Sequence, residues 1–221
     1  MGKIWNSCKI SVAPKGETSG MFRLSDVPLA LASTPRLQSE RVFLRMPNLD
    51  DWREWAELRA ASRAFLTPWE PSWTEDALTR DSYRRRLRHY MQEWRAGEGY
   101  TFFIYLNDTR RLVGGISVSN VRRGVAQSAS IGYWMGQRYA GHGFMTEGLA
   151  ALLPFIFDEV RLRRLEAACL PSNEPSKTVL LKVGFREEGL ARQYLKINGT
   201  WHDHVLFALL GEDWRRQFTE R

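Results

Sequence analysis

Midway along the chain a strand pattern gives way to a helix pattern across two glycines, and this step limits the possible folds more than any other stretch. Ile131-Gly132-Tyr133-Trp134-Met135 reads as the end of a strand, and the residues from Phe144 onward read as a helix. Between them lies Gln137-Arg138-Tyr139-Ala140-Gly141-His142-Gly143. Two glycines two residues apart permit a tight turn and a close approach of backbone to a ligand. The first N–H groups of the next helix lack intrahelical partners and sit at the positive end of its dipole. Such a step forms a cradle for a phosphate or pyrophosphate, and Arg138 adds a cation. Other phosphate loops fail on spacing: there is no Gly-Lys-Ser/Thr ending, and the third glycine of a dinucleotide fingerprint is missing. Two glycines before a helix are, alone, more often a plain loop, so the surrounding pattern decides.

That pattern mixes strands and helices without an internal repeat. Residues 1–35 carry scattered Gly, Pro, Ser and Thr with no sustained period, and read as a mobile N-terminal extension in which Met21 is a candidate natural start. Arg41-Val42-Phe43-Leu44-Arg45 alternates as a first strand. Asn48 or Asp50 caps a helix running to about Ala64, with Trp52, Trp55, Ala56 and Arg59 at helical spacing. Phe65-Leu66-Thr67-Pro68-Trp69-Glu70-Pro71 reads as an irregular loop, and Thr74 as the cap of a second helix that Gly97 and Gly99 end. Tyr100–Leu106, Leu112–Asn120 and Ala126–Met135 read as a three-strand meander. The helix from Phe144 to about Val160 contains Pro154, which should kink it. A strand at 164–170, a helix at 175–183 ended by Gly184, and a hairpin turning at Asn198-Gly199 complete the pattern. The fold class is α+β: one mixed central sheet with helices on it, a domain over 36–214 and a tail at 215–221.

Composition removes several classes. At 221 residues, 43% apolar and 26% charged, the chain suits one globular domain with a real core rather than a disordered polymer. No apolar run approaches the ~20 residues of a membrane span, and no signal-peptide core is visible, so a cytoplasmic setting is expected. Cys8 and Cys169 make neither a disulfide framework nor a metal cluster. The net charge of +7 admits nucleic acid, an anionic cofactor or a ribosomal partner. The densest basic stretch, Arg80 to Arg95, reads as the solvated face of a helix.

The Arg138-x-x-Gly141-x-Gly143 segment after its strand resembles motif A of the GNAT N-acetyltransferases, and Asn173-x-x-Ser176 and Leu181-x-x-Gly184-Phe185 fit the same family. Phe65–Pro71, Ser119-Asn120-Val121-Arg122-Arg123-Gly124 and Asn198–Val205 resemble its RimJ/RimL branch, which acetylates the N-terminal alanine of ribosomal proteins, and look nearer to RimJ. The resemblance covers roughly Leu37 to Trp214. It implies a GNAT fold with two splayed parallel strands, and acetyl-CoA as cofactor with no metal. By the same resemblance Arg138 and the backbone of Gly141, His142, Gly143, Phe144, Met145 and Thr146 hold the pyrophosphate, and Asn173 contacts the pantetheine. A backbone N–H near Met135 faces the acetyl oxygen, and Ser176 helps protonate the departing thiolate. Many members use a tyrosine in that last role, and none stands at the matching position.

The acceptor amine sets how much catalysis is needed. An α-amine has a pKa of about 7.7–8.0, so deprotonation at pH 7 costs only about 1–1.4 kcal/mol, against roughly 4.6 kcal/mol for a lysine side chain. A modest base or a water chain then suffices. The glutamate that RimL-type enzymes are thought to use has no counterpart in Gln193-Tyr194-Leu195-Lys196. Glu70 is the first substitute and Asp203 the second, and a carboxylate in an aromatic loop could equally bind the acceptor's ammonium. Trp69 and Trp73 are groove candidates, whereas Trp52, Trp55 and Trp94 read as packing. Asn120 either faces the acceptor or forms a turn. His202 and His204 share a strand face, but without a third ligand they read as polar strand residues. Glu147 reads as a dipole-favoured structural acid and Cys169 as a small buried residue.

The expected function is acetyl transfer from acetyl-CoA to the N-terminal Ala or Ser of a ribosomal protein, directly within a ternary complex. The protein would be a monomer or homodimer, with ribosome or RNA contact through Arg80–Arg95 as a further possibility. The alternatives are acetylation of a small-molecule amine and a basic RNA-binding module without catalysis.

Overall fold

The computed structural model describes residues 35–219. The expected extension up to residue 34, with Met21 and Cys8, lies outside the described residues, as do the last two residues of the expected tail.

Eight strands form one sheet: β1 (Leu37–Gln38), β2 (Val42–Arg45), β3 (Tyr100–Leu106), β4 (Leu112–Arg122), β5 (Ser128–Met135), β6 (Arg164–Cys169), β7 (Arg186–Ile197) and β8 (Thr200–Leu210). Their spatial order is β1-β2-β3-β4-β5-β6-β8-β7. Every neighbouring pair is antiparallel except β5 and β6. The sheet is therefore mixed, and its single parallel step follows from the helical crossover between β5 and β6.

Side-chain alternation gives the sheet two apolar faces. Val42, Leu44, Phe102, Ile104 and Ile116 join the larger core with helices α4 (Phe144–Pro154) and α5 (Glu174–Val183). Phe43, Phe103, Tyr105 and Trp134 pack on the other face against α1 (Trp52–Ala61), α2 (Arg63–Leu66) and α3 (Arg80–Ala96). Trp55 and Trp94 are buried, as packing residues should be. Gly148 lets α4 approach the sheet: a Cβ there would come within 3.0 Å of Ile104.

Four sequence expectations need correction. The second helix starts at Arg80, not near Thr74, because the Thr79 hydroxyl accepts from the Ser82 N–H. Thr74 instead bonds Asp76 at 2.6 Å and opens a short turn. The 65–71 loop is partly helical, with α2 and a 3-10 turn at Thr67–Trp69. Asn120 does not end β4, which runs on to Arg122; the residue sits at φ +53° within a bulge between Ser119 and Arg122. The tail is not a tail: Gly211–Thr219 forms helix α6, whose Trp214 enters the core with its ring centroid 5.3 Å from that of Phe157.

Other punctuation acts as its chemistry dictates. Gly97 and Gly184 end α3 and α5 in left-handed conformations. Pro154 ends the α-helical part of its helix, and a π-helical turn follows at Phe155–Glu159. Asn198 and Gly199 take φ +50° and +85° and turn the last hairpin.

Candidate active site at the parting of two parallel strands

β5 and β6 pair only from Ser128 with Arg164 to Ser130 with Glu166. Beyond that point β6 stays with β8 as far as Cys169, while β5 stays with β4 as far as Met135. Each strand follows its antiparallel partner, so a wedge opens between them. The Gly136 N–H donates to the Val113 carbonyl at 2.8 Å, on the β4 side. Strand alternation then turns the N–H groups of Met135 and Tyr133 the other way, into the wedge.

The cradle of glycines closes one end of the wedge. A 3-10 turn, Gln137–Tyr139, leaves β5 with its first N–H donated to the Ser62 hydroxyl at 2.9 Å. Gly141 and Gly143 take φ +79° and +83°, in the left-handed region that an L side chain resists. Gly143 is the N-cap of α4 and contributes no side-chain cap. The Glu147 N–H makes the first helical bond, to the Gly143 carbonyl at 3.0 Å, so the N–H groups of Phe144, Met145 and Thr146 are spare. A Cβ on Gly141 would meet nothing within 4 Å, so the loop faces open space. Arg138 is exposed beside the Tyr139 ring. His142 is exposed too, its Nδ1 2.9 Å from the Ala140 carbonyl oxygen. Met145 is buried, which leaves its backbone as the usable part.

At the base of the wedge two hydroxyls meet. Tyr133 Oη lies 2.8 Å from Ser176 Oγ, with Tyr133 on β5 and Ser176 in the first turn of α5. Burial pushes the Tyr133 hydroxyl well above its ordinary pKa, and the bond to Ser176 partly opposes that shift. Burial also pushes the nearby Cys169 thiol up, while its hydrogen bond with Ser176 acts the other way. A raised thiol is a poor nucleophile. Asn173 caps α5, its Oδ1 accepting from the Ser176 N–H at 3.1 Å, and so orients the turn that carries Ser176.

On the opposite sheet face Glu70 is committed to a network. Its Oε1 accepts from Arg59 Nη2 at 2.8 Å and from Trp73 Nε1 at 2.6 Å. Arg59 is only 2% exposed, with its guanidinium carbon 4.4 Å from the Trp73 ring centroid and 5.0 Å from that of Trp134. Burial lowers the Arg59 pKa, and the Glu70 charge opposes it. Trp69 is half-buried beside this network in the chain. Asp203 is occupied on the last hairpin: its Oδ1 accepts from the Gln193 N–H at 2.8 Å, where β7 bulges with Gln193 at φ +48°. The backbone N–H of Ser72 donates to Asn198 Oδ1 at 2.7 Å, joining the segment after Glu70 to the hairpin tip. His204 is buried, and among the described residues no group of three or more His, Cys, Asp or Glu side chains is placed to hold a metal.

Residues 41–186 match the acetyltransferase (GNAT) domain. The chain belongs to the GNAT acetyltransferase family. It is 34% identical over 177 residues to the probable N-acetyltransferase YjcK of Bacillus subtilis, covering 80% of this chain and 98% of that protein. It is 34% identical over 180 residues to the [ribosomal protein uS5]-alanine N-acetyltransferase of Escherichia coli, covering 81% and 92%. The solved structure of Mycobacterium smegmatis RimJ in complex with CoA-disulfide matches with a TM-score of 0.74 and 36% identity, over 81% of this chain and 88% of that one.

For a GNAT acetyltransferase the wedge brings the expected residues into two groups. Met135, Arg138, the 141–146 backbone, Asn173 and Ser176 line or adjoin it. Glu70, Trp69, Asn120 and Asp203 lie elsewhere, and Glu70 and Asp203 already have structural partners. Two residues escaped the sequence reading. Tyr133 shares a strand face with Met135, so alternation could have marked it, but its meeting with Ser176 spans 43 residues. Arg41 sits at the glycine cradle, its guanidinium carbon 4.9 Å from the Phe144 ring centroid and its Nη2 3.1 Å from where a Gly143 Cβ would stand. It forms an ion pair with Glu147.

Proposed function

We propose that this GNAT acetyltransferase transfers the acetyl group of acetyl-CoA to the N-terminal α-amine, on alanine or serine, of a ribosomal protein, by direct attack with both substrates bound. The observation that carries the reading is the wedge: a glycine cradle at one end, inward N–H groups along β5 and a half-buried hydroxyl pair at its base. The similarity to RimJ-type enzymes selects the acceptor.

The residues present fit acetyl-CoA. The spare N–H groups of Phe144, Met145 and Thr146 suit a pyrophosphate, the left-handed glycines leave room for it, and Arg138 supplies charge. When bound, acetyl-CoA supplies an activated thioester. The Met135 N–H donates to the oxygen that gains charge during attack. Tyr133 holds a proton at Oη throughout the physiological range, because burial raises its pKa, and passes it toward the departing sulfur. Ser176 orients that hydroxyl, and Asn173 holds Ser176 in place while its amide nitrogen remains for the pantetheine. Glu70, held by Arg59 and Trp73, shapes the acceptor loop and offers its second oxygen to the acceptor's ammonium. An α-amine at about 7.7–8.0 releases its proton to water at little cost. Trp69 and Asn120, both half-buried, are assigned to the acceptor side by the same reading, outside the wedge itself. A ribosomal partner in the cytoplasm suits the exposed Arg80, Arg84, Arg85, Arg88 and Arg95 of α3.

The test is mass spectrometry of a peptide with a free N-terminal Ala and an internal Lys, incubated with protein and acetyl-CoA. Acetyl on the α-amine is the expected result. Acetyl on the lysine alone would overturn the acceptor class, and no transfer to the peptide would direct attention to small amines.

A further inference from the structure

Arg41 lies outside the glycine motif, yet its guanidinium stands at the N-cap of α4. Its Nη2 is 3.1 Å from the position a Gly143 Cβ would take, and it lies over the Phe144 ring. Its partner Glu147 projects from the first turn of the same helix. The Ser39 hydroxyl and the Arg41 backbone N–H donate to the other oxygen of Glu147, at 3.1 and 3.2 Å. The Arg41 side chain is half exposed, at 48%, so it is no core fixture.

These positions set up a conflict of charges. A carboxylate in a first turn is stabilised by the helix dipole. It occupies the same positive helix end that binds an anion, and repels any phosphate arriving there. Arg41 touches both places, cancelling Glu147 on one side and facing the Gly143 backbone on the other.

We infer that Arg41 is a phosphate-binding residue of this acetyltransferase, shared between Glu147 and the pyrophosphate of the bound coenzyme, and that Glu147 sets coenzyme affinity by competing for it. The inference rests on the acetyl-CoA reading of the wedge. It assigns opposite signs to the two members of one ion pair. Loss of Arg41 removes a cation and leaves Glu147 uncompensated. Loss of the Glu147 charge frees Arg41 for the phosphates.

The experiment is calorimetric titration of the full chain with CoA at low and moderate salt, for wild type, Arg41→Gln, Glu147→Gln and the double variant. Thermal unfolding is measured on each. Arg41→Gln should raise Kd about tenfold, an effect that shrinks with added salt. Glu147→Gln should lower Kd about threefold, and its effect should fade when Arg41 is already absent. Titration with 3′-dephospho-CoA should keep the Arg41 effect, since the pyrophosphate remains. If both single variants weaken CoA alike, the pair merely braces the loop and the inference fails. It also fails if the Arg41 effect vanishes with 3′-dephospho-CoA. Wild-type protein that does not bind CoA at all would instead overturn the acetyl-CoA reading beneath it.

Discussion

The Tyr133 and Ser176 hydroxyls share one hydrogen bond at 2.8 Å, joining β5 to the first turn of α5 across the base of the wedge. The Tyr133 hydroxyl also donates to the Ser176 carbonyl oxygen at 3.2 Å, so the phenol is located by two oxygens of one residue, the Ser176 hydroxyl donating to Oη in the shared bond. Of the pair, the phenol is intrinsically the more acidic, and it remains the candidate proton donor to a thiolate although burial raises its pKa and narrows that advantage.

Tyr133→Phe should therefore lower kcat about 100-fold, within the range of a lost general acid. The KM for acetyl-CoA should hardly move. Ser176→Ala should cost less than tenfold, because Tyr133 remains. Steady-state kinetics on the N-terminal-Ala peptide decide this, and a larger loss at Ser176 would reverse the two roles. The rate should climb with pH through a midpoint near 8 toward a plateau about one unit higher, as the α-amine loses its proton. Burial raises the Tyr133 pKa, so no fall from its ionisation is expected below pH 9.

Glu70→Gln should act on stability before chemistry. It removes the carboxylate charge that faces Arg59, which is 2% exposed, and so weakens the compensation of a buried charge. The expected loss is roughly 3 kcal/mol, the low end for a broken buried pair because Glu70 itself keeps some solvent contact. Urea unfolding of Glu70→Gln, Arg59→Met and the double variant would show strong non-additivity. The pH–rate profile of Glu70→Gln should keep its shape, while the peptide KM rises. A selective loss of rate at low pH would restore Glu70 as the base.

His204 should make the fold acid-sensitive. It is buried beside His202 and Asp203 in sequence, and burial lowers its pKa from the ordinary value of 6.5. The folded chain thus prefers the neutral ring, and the unfolded chain takes up the proton first as pH falls. Stability from this group is present above about 6.5 and declines through the lowered pKa. Urea midpoints at pH 7.5 and 5.0 should fall further for wild type than for His204→Asn. Equal falls would remove His204 from the acid response.

Gly143→Ala tests the cradle. The backbone there has φ +83°, where an L side chain costs roughly 1–2 kcal/mol. The added Cβ would also press on Arg41 Nη2, the end of a half-exposed side chain that can move aside, so the strain should appear as weaker CoA binding with a Tm loss of only a few degrees. Unchanged affinity would show that the phosphates do not depend on this turn.

Much of the architecture was legible because it is written in local chemistry. The glycines at 97 and 184, the proline at 154 and the Asn198-Gly199 turn each act through their own backbone preferences. The strand at 100–106 is a continuous run of β-favouring residues buried almost throughout, and the strand at 128–135 lies within the stretch read as 126–135. The misreadings arose where two local solutions compete. Thr74 and Thr79 are both plausible caps, and only the packing of Tyr83 and Leu87 against the sheet favours the later start. The helix at 211–219 was missed because it is short; its Trp214 reaches the core.

The site divides along the same line. By itself the sequence determined the glycine turn before a helix, since Gly141, Gly143 and the following helix start lie within a few residues and the spare N–H groups follow from helix geometry. It also placed a short helix from about Pro175, which puts Ser176 in its first turn; that Asn173 caps it was visible only in the structure. Only the tertiary structure decided what those groups face. The pairing of Tyr133 with Ser176 spans 43 residues, and that of Arg41 with Glu147 spans 106. Both depend on which strands are neighbours and in what register. Alternation tells which face of a strand a side chain takes. It does not tell which helix covers that face, because long-range partners are selected by the packing of the whole sheet rather than by any local period.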